Sequence, residues 1–266
     1  LERAKTYLNT CVEACKVIMD NKDFILNDSY QALYNSTDLS KNPEIIFYKP
    51  YSKNTLMHSL IDYTVNTGGT NGMTKDAFDN YLFLDGKPRA STALNKTDAP
   101  KMVIVNVQKK VDGVMKTVQD TSYHIGHLFT VRDKRLSATL DSVLAFKGKA
   151  YSRAGSNAFT STTGYGVAKY DNPQLLTTTE RNNINRQYTD APIYWLSVIY
   201  LNYAEAMAEL GSITQDDLDK SVNLLQRRAG LPGMTLTPDA DPANNMGVSN
   251  LLWEIRRARR CELMFD

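Results

Sequence analysis

Two runs of apolar residues at helical spacing, the first stopped by a Gly, constrain this chain more than any other feature. From Trp195 to Leu210 the first run carries Val198, Leu201, Tyr203, Ala204, Ala206, Met207 and Leu210. Ala191-Pro192 stands where Pro suits a first helical turn, and Gly211 is the expected stop. A second run starts at Asp216 or Asp217 and presents Leu218, Val222, Leu225 and Ala229 before Gly230-Leu231-Pro232-Gly233 ends it. The small side chains Ala204, Ala206 and Ala208 let the two helices approach closely, so the pair reads as an antiparallel helical hairpin.

An amphipathic hairpin cannot bury its apolar face alone and must stack on neighbouring pairs, as tetratricopeptide units do. One such unit is complete here. Ahead of it, Ala4, Tyr7, Leu8, Cys11, Ala14, Cys15, Ile18 and Met19 form one stripe over Ala4 to Met19, which stops near Asp20-Asn21. Asp28-Ser29 reads as the N-cap of a short helix carrying Tyr30, Leu33 and Tyr34. A last helix, capped by Ser249, carries Leu251, Leu252, Ile255, Leu263 and Met264 and meets the final residue with no stop signal. Residue 1 already lies in a helical pattern, so the sequence reads as an interior fragment of a longer protein.

Glu44 to Tyr48 reads as a brief strand closed by Pro50. Between about Thr64 and Asn185 the helical period fades, and Gly68-Gly69, Asn71-Gly72, Asp85-Gly86, Asp112-Gly113 and Gly164 punctuate turns. Short strands are expected at Met102 to Val107, Ser137 to Phe146 and Tyr165 to Tyr170. The expected architecture is mostly α: tetratricopeptide-like helical hairpins with a loop-rich insert containing short β-strands. It forms a single domain, 1–266, with a helical part at 1–63, the irregular insert at 64–190, and the hairpin with its following helix at 191–266. A long irregular stretch in a folded protein is usually functional surface or a small separate layer.

Thirty-one Lys and Arg against 29 Asp and Glu give a net charge of +2, too little to draw nucleic acid or anionic lipid onto the whole surface. The basic run Arg256-Arg257-Ala258-Arg259-Arg260 shares its helix with Glu254 and Glu262, and same-helix pairing is the expected fate of its charges. Three Cys make no disulfide framework; Cys11 and Cys15, four apart on one helix, are expected in the core. No apolar run is long enough to span a membrane, and no leader opens the chain. His124-x-x-His127 lacks the carboxylate-bearing pattern of a zinc helix, and Asp216-Asp217-x-Asp219 fits a helix N-terminus better than a calcium loop. With no Gly-rich phosphate loop and no Gly-x-Ser-x-Gly elbow, the chain offers no catalytic constellation, and no metal or cofactor is expected.

Aromatic residues are what the sequence supplies in quantity: 15 Tyr, 8 Phe and 2 Trp. Tyr81, Phe83, Phe146, Tyr151, Phe159, Tyr165 and Tyr170 lie among Ser, Thr, Asn and Gly, a mixture that pairs flat apolar faces with adaptable hydrogen bonds. The competing reading is that most of them pack the insert onto the helices. Alternation along Tyr165 to Tyr170 puts its two end rings on opposite faces, so at least one belongs to the core.

Five ordered segments resemble the SusD/RagB family of surface-exposed outer-membrane nutrient-binding lipoproteins of Bacteroidetes. The hairpin from Ala191 to Gly211 with Leu224-Leu-Gln-Arg-Arg-Ala-Gly-Leu-Pro232 is similar to the family's helical pair and its Arg-x-Arg-Ala-Gly end. Leu252 to Phe265 resembles the helix that follows, and Arg132-Asp133-Lys134-Arg135-Leu136 resembles the family's Arg-Asp-Pro-Arg-Leu turn. Phe24-x-Leu26 with Tyr30-x-x-Leu33-Tyr34, and Glu44-Ile45-Ile46-Phe47, complete the set. Trp195, Val198, Ala258 and Lys134 depart from the usual Arg, Glu, Glu and Pro, which puts local ion pairs in question.

The resemblance implies a non-catalytic protein that binds an oligosaccharide or other nutrient and delivers it to a TonB-dependent SusC-like channel, tied to the membrane only through a lipid anchor outside this sequence. Tyr81, Tyr151, Tyr165 and Tyr170 are the expected sugar-stacking residues. Two other classes compete: a tetratricopeptide-like scaffold that binds protein and no sugar, and a glycoside hydrolase, which would need paired carboxylates.

Overall fold

The computed structural model describes residues 2–65, 71–94, 97, 99–145 and 161–266. In chain order these hold α1 (Glu2–Met19), β1 (Ile45–Lys49), α2 (Leu60–Val65), α3 (Lys75–Asn80), β2 (Lys101–Val111), β3 (Val114–His124), α4 (Arg135–Thr139), α5 (Thr178–Asn182), β4 (Ala191–Trp195), α6 (Leu196–Glu209), α7 (Gln215–Lys220), α8 (Val222–Arg228) and α9 (Asn250–Glu262). A 3-10 turn at Tyr30–Leu33 follows Ser29, whose side chain caps it by accepting from the Ala32 amide. The body is mostly α, with helical hairpins carrying an insert of turns, short helices and a β-hairpin.

The helical frame follows its apolar stripes. On α1, Val12 and Cys15 are buried and Leu8, Cys11, Ile18 and Met19 half-buried against α6, where Leu201 and Ala204 have no exposed surface. After α6, Gly211 turns the chain at φ +69°, a backbone state that a side chain resists, and α7 and α8 return along it. Leu218, Val222 and Leu225 reach the same cluster, which Ile255 and Ala258 of α9 close. The returning arm is two helices where the spacing suggests one. At Ser221 the backbone leaves the helix (φ −129°, ψ −104°) and the hydroxyl donates to the Asp217 carbonyl at 2.6 Å, the local bonding by which Ser competes with helical order.

Thr214 and Asp217 form a reciprocal cap at the start of α7, each side chain accepting from the other's amide, so the Asp cluster serves the helix N-terminus. Thr214→Ala is expected to lower stability by about 1 kcal/mol in urea titration.

Several local expectations are corrected. Ala191 to Trp195 is strand, not helix: β4 pairs antiparallel with β1, Lys49 opposite Ala191 and Ile45 opposite Trp195, and Pro192 is tolerated because a two-stranded sheet is all edge. Ser137 to Phe146 begins inside α4 and continues as isolated bridges at Leu140 and Val143, its last residue lying outside the described ones. In Tyr165 to Tyr170 only Val167 is bridged, to Leu140. The strand expected from Met102 does form and extends into a hairpin of two eleven-residue strands around Asp112-Gly113.

A buried relay of charges joins the parts. The Glu44 carboxylate accepts from Arg228 at 2.8 Å and from the Ser197 hydroxyl, and Arg228 also pairs with Glu262. Glu262 in turn holds Arg135 at 2.9 Å, and Arg135 closes on Asp133 at 2.6 Å. Glu44, Glu262, Asp133 and Arg135 are all buried. The relay therefore ties the turn before β1, α8, the end of α9 and the Arg132–Leu136 turn at a single point. Burial pushes the Glu44 carboxyl up, whereas the Glu262 carboxyl, though burial opposes it, is held below its ordinary value by Arg228 and Arg135.

Candidate functional site

On the side of the frame facing the insert, α9 presents Trp253, Arg256, Arg257 and Arg260. The spacing of three and four places them on one face, while Leu252, Ile255 and Ala258 turn inward. This face forms one wall of a cleft of about 780 Å³, within the usual size range of small-ligand sites. Residues 76–80 of α3, the Pro88–Ala90 turn and the 241–246 loop form the other walls.

Each wall is fixed locally. Thr74 caps α3 by accepting from the Ala77 amide, which sends Ala77 and Phe78 into the core and leaves Asp76 and Asp79 on the open side. The Asp85 carboxylate accepts from the Thr92 hydroxyl at 2.7 Å and the Ala93 amide at 3.1 Å, while the Ser91 and Thr92 amides donate to the Pro88 carbonyl. Gly86, at φ +75°, brings this turn against Pro232; a Cβ there would meet the ring at 2.6 Å. Asp241 anchors the fourth wall, accepting from the Ala243 amide at 2.9 Å, from the Trp253 indole at 3.4 Å and from Arg257.

The charges in the cleft are compensated in place. Arg256 reaches Glu205 at 2.9 Å and Glu209 at 2.6 Å on α6, and Arg259 reaches Glu205 at 2.7 Å. Arg260 bonds Asp76 at 2.6 Å, while Arg257 pairs with Asp241 and with Glu254. Of the basic run, only Arg257 thus finds a partner on its own helix, which corrects the same-helix expectation: the others bridge α9 to α6 and α3. The Asp241 carboxyl, despite the cost of burial, is held down by the Ala243 amide and Arg257. The Arg257 guanidinium lies over the Trp253 ring, 5.6 Å from its centre, within cation–π range.

Chemically, this is a half-buried indole amid fixed donors and acceptors, with the side chains of Asn80 and Asn245 adding both. Such a surface can stack on an apolar ring and bond a spread of hydroxyls. The Cys15 and Cys261 thiols are both pushed up to about 12, chiefly by burial, which keeps them protonated and poorly nucleophilic. Among the described residues, no group of three or more His, Cys, Asp or Glu could hold a metal ion.

Of the four tyrosines singled out in the sequence, the three that the structure describes do not line this cleft. Tyr81 has no exposed surface, its hydroxyl lying 3.4 Å from Thr139 Oγ1 and 3.5 Å from the Cys261 carbonyl. Tyr170 is buried in a different cluster and donates to the Phe265 carbonyl at 2.6 Å. Tyr165 is half-buried and stacks on Phe78 with centres 5.0 Å apart. Tyr151 lies outside the described residues. Sequence reasoning passed over Trp253, although Trp and Arg at positions 253, 256, 257 and 260, opposite the apolar stripe of one helix, was the available signal.

A helical-hairpin frame with a strand-and-turn insert is the architecture shared by SusD-like proteins. The SusD family model matches residues 22–266, and the chain belongs to the SusD family. Among solved structures, a SusD-like carbohydrate-binding protein from Bacteroides fragilis is similar over 98% of this chain and 47% of its own, at 22% identity and a TM-score of 0.66. A second SusD-like protein from Bacteroides fragilis has 22% identity and a TM-score of 0.56, over 98% of this chain and 49% of its own. The surface glycan-binding protein A of Bacteroides uniformis has 17% identity and a TM-score of 0.52, over 98% and 43%. This chain therefore spans about half the length of the structures it matches. No curated protein matches it in sequence. Among the described residues, no helix is long and apolar enough to cross a membrane.

Proposed function

We propose that this chain is part of a surface-exposed outer-membrane lipoprotein that captures a glycan and delivers it to a SusC-like TonB-dependent transporter, without catalysing a reaction. Family membership across residues 22–266 carries the reading. The cleft adds a place for the ligand: Trp253 offers a ring face, and the paired Arg and Asp side chains around it offer donors and acceptors to hydroxyls. Three carboxylates of the cleft are already engaged by cations: Asp76 by Arg260, Asp79 by Lys75 and Asp241 by Arg257. A glycoside hydrolase needs one carboxylic acid free to give up its proton, so the arrangement favours binding over cleavage. A supporting role for Tyr151 and Tyr165 in stacking stays within this proposal, whereas Tyr81 and Tyr170, buried as they are, would act through packing. Residues 1–266 would act as one domain, the insert sitting on the helical frame.

The test is affinity electrophoresis across a polysaccharide panel. Retention on at least one polymer, reduced tenfold or more by Trp253→Ala, is the expected result. Retention unchanged in that variant removes the cleft from the account, and absence of retention on every polymer removes the glycan. The second reading, a protein-binding scaffold, draws on α1, whose outer side leaves Tyr7 and Val17 61% and 73% exposed. It predicts capture of a membrane protein with no polysaccharide retention.

A further inference from the structure

The cleft leaves unexplained the β2–β3 hairpin. Its eleven residue pairs run from Lys101 opposite His124 to Val111 opposite Val114, a reach of about 35 Å at the usual strand rise. It is rooted where the Leu144 amide donates to the Tyr123 carbonyl at 2.8 Å and where His124 bridges Val143. Its far end turns through Asp112 and Gly113 at φ +53° and +83°, the paired left-handed conformation of a tight hairpin turn. A two-stranded ribbon exposed on both faces gains little from packing, so the side chains selected at its tip point to what it meets.

Those side chains are apolar and cationic together. Val114 and Met115 are 60% and 61% exposed, and Lys109, Lys110 and Lys116 are exposed beside them. Register sharpens this: Lys109 stands directly opposite Lys116, and Lys110 directly opposite Met115. Like charges facing each other across strands destabilise a ribbon. Lys109 finds one anion within the chain, Asp120 at 2.7 Å, whereas Lys110 and Lys116 continue the charge toward the apex. Both faces of the tip thus carry a cation next to an apolar side chain, on a ribbon whose end is exposed on both sides.

We propose that this tip is a docking element for an anionic lipid surface, with the lysines meeting headgroup phosphates while Val114 and Met115 enter the boundary with the acyl chains. Charge complementarity selects this occupant: an exposed end with cations on both faces suits a plane of anions, and the adjacent apolar side chains gain only if that plane has an apolar layer beneath it. Asp112 at the apex keeps the insertion shallow. The element acts independently of the glycan cleft and brings the hairpin end of the molecule to the membrane.

Co-sedimentation with vesicles tests this on the full chain. Binding is expected to vesicles of phosphatidylcholine with 30% phosphatidylglycerol and not to pure phosphatidylcholine, weakening as salt rises. Each Lys→Gln change at 109, 110 and 116 should lower the partition coefficient about fivefold. Val114→Ser with Met115→Ser should lower it further at unchanged charge, and Lys41→Gln, at a remote exposed site, should leave it unaltered. These tip residues are exposed, so the variants should keep the wild-type circular dichroism and melting temperature. Wild-type protein left in the supernatant at every phosphatidylglycerol content overturns the proposal. Equal binding by the triple Lys variant does so too, as does equal binding to a soluble polyanion and to vesicles with no effect of the Val114 and Met115 changes.

Discussion

Glu262→Ala should lower the free energy of unfolding by about 3–5 kcal/mol, the range for stripping one partner from a buried ion pair. The size follows from what it leaves behind: the buried side chains of Arg135 and Arg228 lose the carboxylate they share. Denaturation in urea should show an earlier midpoint, and Glu262→Gln should cost less than Glu262→Ala, because an amide oxygen can still accept from one of the two guanidiniums. The pH dependence has a definite sign. Glu262 titrates below its ordinary value of 4.5, so its stabilisation is present above that pH and is lost as pH falls through the folded value. Glu44, pushed up by burial, works in the opposite sense, its contribution shrinking as pH rises past its ordinary value. Removing Glu262 should therefore flatten the acid side of the stability profile, and a variant whose acid limb matches the wild type would contradict the relay.

Phe78→Ala should cost a similar amount, about 3–5 kcal/mol by the usual penalty for emptying an aromatic site. Phe78 has no exposed surface, stacks on Tyr165 and has the Arg132 guanidinium 4.7 Å from its ring centre. Its loss removes dispersion contacts and also deprives a buried cation of a ring face. Because Phe78 lies on α3 beneath the wall bearing Asp76 and Asp79, the variant should also weaken any ligand held in the cleft. Thermal unfolding followed together with polysaccharide retention would show both effects, and Phe78→Leu should restore most of the stability without restoring the stacking.

The sequence made the frame legible wherever structure is local. Ser249, Gly211 and the apolar stripes of α1, α6 and α9 each announce a helix through neighbours three or four residues away, and those elements formed. β4 was misread because its partner, β1, lies some 150 residues earlier in the chain, and nothing in Ala191-Pro192-Ile193 records that pairing. The short helices α2, α3 and α5, of five or six residues, are too brief to show a period. The cleft was hidden for a related reason: Asp76, Pro88, Asp241 and Trp253 converge only in three dimensions. The aromatic reading favoured rings in the insert, but two of the four proved to be buried with their hydroxyls near or bonded to groups of the chain, the state that competes with ligand contact for any tyrosine.

The small β1–β4 clip sets how this architecture can change over evolutionary time. Lys49 and Ala191 sit side by side, so everything between them leaves the frame and comes back at the same doorway. Closing a loop grows costlier only slowly with its length, and a doorway held by strand pairing, with the Glu44–Arg228 pair behind it, constrains the excursion chiefly where Arg135 reaches back to Glu262. Away from Arg135, that excursion can be lengthened, shortened or rewritten while the scaffold beneath keeps its shape, much as a handle accepts different blades.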